Sequence, residues 1–272
     1  MRTMITAGLR LSLCLILLAA VAMTPLAAQS SRTPTTDRLF LGFAKDATLA
    51  NQQWWEGQLE ITSHDDLDTV VANLVFALRP IDRFEFGGKV GFGDSDLPTP
   101  FNDLEGTGAT DLELWGKYAL GSLEDGSDLA VGVTVTVPTG DDSAGLGRDS
   151  FDIGAFFTSR KAMNGFDLVG HVGANFHGDG RILGVDLDGK VSAELGVGFI
   201  FPMSETISLV AEGQLETEQY KNAGDIGDTD TRILGGVDWK LGANGMFRGA
   251  LALGLTDGAP DTQLILGYAA RF

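Results

Sequence analysis

From Trp54 to the end of the chain, apolar and polar residues alternate in segments of about ten residues, separated by turn-forming residues. Successive side chains of a β-strand point to opposite faces, so each segment predicts a strand with one apolar and one polar face. The segment 128–138 shows this most clearly, because four valines alternate there with alanine, glycine and threonine. We predict twelve strands, near residues 53–63, 68–79, 83–93, 110–120, 128–138, 150–160, 166–177, 190–201, 206–217, 230–240, 247–256 and 262–272.

This repeated pattern is typical of a transmembrane barrel, in which lipid covers the apolar face and the interior is polar. The predicted fold is all-β: an antiparallel up-and-down β-barrel of the bacterial outer-membrane type with about twelve strands. The chain ends on an aromatic residue, Phe272. This ending resembles the carboxy-terminal signal that the barrel-assembly machinery reads, so we expect that machinery to be a partner. For the last segment alone, an amphipathic edge strand of a soluble sandwich is the alternative.

The first residues predict a secretory signal peptide over 1–28. Arg2 and Arg10 precede an apolar run over 11–23 that is too short to span a bilayer, and small residues precede the expected cleavage after Ala28. The one cysteine, Cys14, falls inside this signal. The mature chain would therefore have no thiol to oxidise outside the cytoplasm.

The segment 29–52 does not fit the strand pattern, and the barrel itself is expected over 53–272. Thr36 and Asp37 could cap a short helix carrying Leu39, Phe40, Phe43 and Ala44, folded into the lumen or across its mouth. An extra strand or a disordered lead is equally consistent with the sequence. This N-terminal segment is therefore left with three alternatives.

Connection lengths predict the orientation, because outer-membrane barrels have short periplasmic turns and longer external loops. Short and long connections alternate along most of the chain, which predicts that both barrel termini are periplasmic. With this register, outward-facing aromatic residues gather near the periplasmic rim as an interfacial girdle. Its predicted members are Trp55, Phe84, Tyr118, Phe157, Phe166, Phe199, Phe201, Trp239, Phe247 and Phe272.

Several sequence motifs resemble a known family. A glycine-rich loop over 106–109 leads into Asp111-Leu112-Glu113-Leu114-Trp115-Gly116-Lys117-Tyr118, and Pro138-Thr139-Gly140-Asp141 follows the next strand. Further matches lie at 151–154 and 255–261, so the resemblance covers most of residues 68–272. In these motifs the chain resembles outer-membrane proteins grouped under the MetA-pathway of phenol degradation. The resemblance implies a barrel that passes small molecules, including aromatic or apolar compounds, and it supplies no binding residues.

The polar face of the predicted strands carries charges of both signs, and in the fourth strand Asp111, Glu113, Trp115 and Lys117 share that face. Two interpretations remain open: the charges line a water-filled pore, or they pair across the interior and close it. We favour a narrow channel. The predicted pore-lining residues are Glu56, Glu60, Arg83, Glu85, Lys89, Asp111, Glu113, Lys117, Asp152, His171, Glu194, Glu212, Arg232, Asp238, Lys240, Arg248 and Arg271.

The net charge of −18, or −20 once Arg2 and Arg10 leave with the signal peptide, argues against nucleic acid as a partner. The expected surroundings are outer-membrane lipid and lipopolysaccharide, whose bound divalent cations the acidic loops can approach. We expect no cofactor, no metal and no catalytic residues. The leading hypothesis is passive passage of small molecules. The alternatives are a non-conducting structural or binding barrel and, third, a lipid-modifying enzyme built around His64, His171 or His177.

Overall fold

The computed structural model describes residues 42–50, 53–64, 67–96, 106–221 and 223–271, so the predicted signal peptide and Phe272 lie outside the described residues. Almost all regular structure is β. The strands are β1 Trp54–His64, β2 Leu67–Ile81, β3 Phe84–Asp96, β4 Gly106–Ala109, β5 Leu112–Ser122, β6 Ser127–Val137, β7 Asp152–Ala162, β8 Asp167–Phe176, β9 Gly180–Ile182, β10 Val185–Gly189, β11 Val191–Pro202, β12 Ile207–Glu216, β13 Tyr220–Lys221, β14 Asp230–Leu241, β15 Gly245–Gly254 and β16 Thr262–Arg271. Within the described residues, a 3-10 turn covers Gly224–Gly227, and no helix is long and apolar enough to cross a bilayer.

The strands close into a barrel, because β1 pairs antiparallel with both β2 and β16. Both β4 and β5 pair with β3, at opposite ends, so together they occupy one position in the wall. The wall therefore has twelve positions, all joined antiparallel, which confirms the predicted fold class. Among the described residues, closure pairs both edges of every wall strand except the short β4, and a sheet needs such pairing in order to cross hydrocarbon.

Along the strands, apolar side chains are exposed and polar side chains are buried, which is the reverse of the arrangement in a soluble protein. In β11, for example, Val191, Leu195 and Val197 are exposed, whereas Ser192 and Glu194 between them are buried. The hydrophobic effect would drive these exposed apolar side chains inward in water. The reversal is consistent with an apolar solvent around the barrel and a polar interior.

The two ends of the barrel differ in their connections. Short turns at 82–83, 123–126, 163–166, 203–206 and 242–244 define the short-turn end, where the start of β1 faces the end of β16. Longer connections define the opposite, long-loop end, where β9, β10 and β13 form a small additional sheet. Its side chains pack into a separate apolar cluster around Tyr220. The two ends of the barrel thus differ in loop length and also in this small additional sheet with its apolar cluster.

The aromatic residues predicted to form a girdle lie near the short-turn end, except for Phe272, which is outside the described residues. Phe166 in a turn contacts Phe199 and Phe201 of β11, with ring centroids 6.0 and 5.6 Å apart. Trp55 and Tyr268 form an edge-on pair at 6.2 Å. Trp55, Tyr118, Phe157, Trp239 and Phe247 are all exposed, as residues at a lipid–water interface would be.

Candidate functional site

The interior of the barrel is crossed by residues 42–50, which we call the strap. The strap has no regular secondary structure, so its backbone polar groups need partners on the barrel wall. The carboxylate of Glu212 accepts the N–H groups of Gly42, Phe43 and Ala44 at 2.6, 2.7 and 2.7 Å. One side chain of β12 therefore satisfies three successive backbone donors. Sequence analysis left three alternatives for the N-terminal segment 29–52. The structure describes residues 42–50 of this segment, and these residues are not helical.

The middle of the strap is held by β8 and β11. The backbone N–H of Lys45 donates to Nδ1 of His171 at 3.1 Å, so a neutral His171 carries its proton on Nε2. That Nε2 lies 3.0 Å from Glu194, whose carboxylate also pairs with the ammonium of Lys45. His171 and Glu194 are both buried. They bind the strap and are not in contact with an open lumen.

The second half of the strap is held by buried charges of β3, β5 and β7. The guanidinium of Arg160 bonds to Asp46 of the strap at 2.9 Å and to Asp167 of β8 at 2.6 Å. The ammonium of Lys117 donates to the carbonyl oxygens of Asp46 and Thr48, both at 2.8 Å. Glu85 accepts the N–H of Ala50 at 2.7 Å.

Apolar residues of the barrel wall also face the interior, and the sequence did not predict that they meet the N-terminal segment there. Ala44 and Ala50 of the strap pack near the short-turn end against inward side chains that include Val169 and Ile200. Phe43 packs on a second apolar group from β12, β14, β15 and β16. The wall residues among them alternate along their strands in step with the polar residues. Alternation therefore places them on the inner face, but it does not show that they form an apolar core in the lumen.

Among the described residues, two cavities lie beside the strap. The larger, of about 280 Å³, runs along β1, β3, β5 and β14–β16. The smaller, of about 190 Å³, lies against β5–β7 and the middle of the strap. Eight of the residues that line the larger cavity are polar or charged: Glu56, Gln58, Glu60, Lys89, Glu113, Arg232, Arg248 and Gln263. Trp54, Trp115 and Phe43 add aromatic surface.

Most of the charges in the larger cavity are paired. Lys89 bonds to Glu60 at 2.7 Å, and Arg248 lies 3.9 Å from Glu56. Arg232 makes two bonds to Asp230, at 2.9 and 2.6 Å, and its guanidinium lies 4.8 Å from the ring centroid of Phe43. The interior therefore has features of both interpretations. Its charges pair, as in a closed interior, and yet they leave space, as in a pore.

Inward glycines allow aromatic rings to lie flat on the wall. A Cβ atom at Gly87 would be 2.2 Å from the indole of Trp115, and one at Gly132 would be 2.2 Å from the ring of Phe156. At Gly196 a Cβ would be 2.1 Å from the imidazole of His171. Each ring thus occupies the space above a glycine of the adjacent strand.

The remaining predicted pore residues lie at the barrel ends or are deeply buried. Asp111 accepts backbone N–H groups of Gly140 and Arg148 and so anchors the loop between β6 and β7. Neither carboxylate oxygen of Asp238 has a hydrogen-bond partner among the described residues. Lys240 and Arg271 border a cavity of about 30 Å³ at the short-turn end. Arg83 requires a correction: β3 begins only at Phe84, so Arg83 lies in the exposed turn before it and not on the inner face.

A buried cluster braces the long-loop end. Nε2 of His177 lies 3.0 Å from Ser192 and 3.1 Å from Glu216, while Nδ1 lies 3.3 Å from Asp152. Serine, histidine and aspartate in this order resemble a nucleophilic triad. Ser192, however, is only 1% exposed and its hydroxyl lies 2.5 Å from Glu216, so no substrate has a path to it. We therefore assign the cluster to bracing β7, β8, β11 and β12.

The brace predicts a pH-dependent stability. Burial opposes protonation of His177, but its hydrogen bonds to Asp152 and Glu216 outweigh this and raise its pKa above the ordinary 6.5. The stabilisation is fully present below the unfolded pKa and is lost as the pH rises through the higher folded pKa. We expect His177→Gln to reduce the free energy of unfolding more at about pH 6 than at about pH 9, measured by urea unfolding. Equal losses at both pH values would contradict the assignment.

Among the described residues, no group of three or more His, Cys, Asp or Glu side chains is arranged to hold a metal ion. The comparisons with known proteins agree with the geometry of the barrel. A family model described as the MetA-pathway of phenol degradation matches residues 64–272. No curated protein is significantly similar to the chain in sequence.

Similar solved structures are outer-membrane channels and porins. The COG4313 outer membrane channel from Pseudomonas putida F1 is 16% identical, with a TM-score of 0.69 over 89% of this chain and 100% of that one. The KdgM porin in complex with disordered oligogalacturonate is 10% identical, with a TM-score of 0.55 over 80% and 99%. The NanC porin is 9% identical, with a TM-score of 0.53 over 81% and 100%. At these identities the similarity shows the fold.

Proposed function

We propose, from the premise that this chain belongs to the MetA-pathway of phenol degradation family, that it is an outer-membrane channel for the passive passage of small molecules. The observation that carries the proposal is the cavity of about 280 Å³ that remains beside the strap. Barrels of eight strands are filled by side chains and those of sixteen or more leave wide channels, so twelve strands suit a narrow path.

The proposed solutes include aromatic or apolar compounds of about one ring. Trp54, Trp115 and Phe43 offer flat apolar surface for such a solute. The charged side chains around them keep the cavity hydrated, and because these charges are paired, a solute that displaces water from them loses less solvation energy. A cavity of this volume lies near the lower end of the range for small-molecule sites. Both features favour a compact solute over an extended chain.

The proposed location is the outer membrane of a Gram-negative bacterium, with both barrel termini on the periplasmic side. The predicted signal peptide supplies the export route. The short-turn end carries the aromatic residues and both ends of the barrel chain, as a periplasmic rim would. The acidic long loops would then meet lipopolysaccharide and its bound cations, and Phe272 would engage the assembly machinery.

A cysteine placed in the cavity tests the channel directly, because the chain's one cysteine lies in the predicted signal peptide. Gln58 lines the larger cavity, whereas the next residue, Leu59, is exposed on the outer face. In planar bilayers we expect Gln58→Cys to conduct, and an added methanethiosulfonate reagent to reduce its current by roughly half or more. Leu59→Cys is the matched control and should not respond.

The second candidate is a non-conducting structural or binding barrel. It is favoured by the strap and by the apolar cluster that Ala44 and Ala50 form near the short-turn end. The same measurement separates the two functions. Absence of single-channel current and of solute-dependent liposome swelling in the wild-type protein would reject the channel and support the closed barrel.

A further inference from the structure

The two luminal cavities meet at a common set of residues. Glu113 and Trp115 of β5 line both cavities, and so do Gly42 and Phe43 of the strap. A solute moving between the cavities would therefore pass Glu113. The chemistry of this junction determines which solutes are held there.

Glu113 shares the nearby positive charge of Lys89 with Glu60. The strand register places it opposite Lys89, but the ammonium of Lys89 bonds to Glu60 instead, at 2.7 Å. Within the described residues, Glu113 has no hydrogen bond or ion pair, whereas the other charged side chains that line the cavities are partnered. Its side chain is exposed although it points inward. An accessible carboxylate of this kind attracts a cation.

The surroundings of Glu113 suit a cation that also has an apolar part. Trp115, two residues along the same face, lies flat over Gly87 and lines both cavities. The protein already places two of its own cations on aromatic rings of these cavities: Arg232 lies 4.8 Å from the ring centroid of Phe43, and Lys45 lies 5.2 Å from that of Phe156. Cations are attracted to the negative face of such rings.

We propose that Glu113 and Trp115 form a binding site for small organic ammonium ions within the channel. The carboxylate of Glu113 pairs with the ammonium group, and the aromatic or alkyl body of the solute lies against Trp115. Anions of the same size are disfavoured, because the ammonium of Lys89 is already engaged by Glu60. This inference rests on the proposed channel function. It specifies in addition that the preferred solute carries a positive charge.

Blocking of single-channel current tests the site, with benzylammonium as the probe and benzenesulfonate as an anion of similar size. We expect benzylammonium to block the wild-type channel, and Glu113→Gln to weaken that block about tenfold, as loss of a charge-assisted pair would. Trp115→Leu should weaken it as well. The matched control is Glu205→Gln, which alters an exposed glutamate in a short turn and should leave the block unchanged.

The outcomes separate the site from the channel. Unchanged block in Glu113→Gln, or equal block by benzenesulfonate, would overturn the ammonium site while leaving the channel in place. Absence of current in the wild-type protein would instead reject the proposed function. In that case calorimetric titration of the detergent-solubilised barrels with benzylammonium decides the site: binding that is weakened in Glu113→Gln supports it, and equal or absent binding rejects it.

Discussion

Replacing Val133 with arginine is expected to destabilise the barrel by about 2–4 kcal/mol, because a guanidinium would then face mid-membrane hydrocarbon. Val133 lies in the middle of β6, is 51% exposed, and is flanked across the sheet by Gly116 and Ala155. The free energy of unfolding would be measured by urea titration in lipid vesicles, followed by tryptophan fluorescence.

The adjacent residue supplies the control for that prediction. Thr134 lies on the inner face of β6 and lines the smaller cavity, where an arginine can reach water or a carboxylate. Thr134→Arg should therefore cost less than Val133→Arg. The reverse ranking would mean that the inner and outer faces of β6 are exchanged.

Removing the guanidinium of Arg160 is expected to cost about 3–5 kcal/mol, because the change leaves two buried carboxylates without their common cation. Asp46 and Asp167 both bond to Arg160, and all three side chains are buried. The free energy of unfolding of Arg160→Met would be compared with that of the wild-type protein in the same urea titration. Since Asp46 belongs to the strap, the variant should also loosen the strap and raise the conductance.

Two further variants check the cause of this loss. Lys161, the residue after Arg160, forms an exposed ion pair with Asp125. Lys161→Met removes this pair and should change the free energy of unfolding little. Adding Asp46→Asn and Asp167→Asn to Arg160→Met removes the unpaired carboxylates and should restore part of the lost stability. If the triple variant were as unstable as Arg160→Met, lost packing and not buried charge would be the cause.

Most of the wall could be predicted from the sequence, because the information is local. A strand has a period of two, so alternation over ten residues is enough to place Val133 outside and Glu212 inside. The ends of strands were predicted less well. β3 begins at Phe84, which removes Arg83 from the inner face. The fourth predicted strand, 110–120, begins only at Leu112 as β5, and the predicted glycine-rich loop over 106–109 is the separate strand β4.

The contacts of the strap could not be predicted, because its bonds join residues far apart in the chain. Glu212 bonds to Gly42 across 170 positions, and Lys117 bonds to the carbonyl of Asp46 across 71. Parity showed that both side chains face the interior, but it could not show what meets them there. A charged row such as Glu113, Trp115 and Lys117 has the same alternation whether it faces water, a partner charge or a peptide backbone.

The sequence by itself determined the barrel: the number of strands, the inner and outer faces, and the aromatic residues near the short-turn end. These properties depend on residue spacing within a single strand. Only the tertiary structure decided how the interior is divided. It places the strap against Glu212, Glu194 and Arg160 and lays Trp115 over Gly87. Among the described residues, it also leaves Glu113 without a hydrogen bond at the junction of two cavities. The physical reason is that pairing and packing depend on which groups closure of the barrel brings together, and spacing along the chain does not record this.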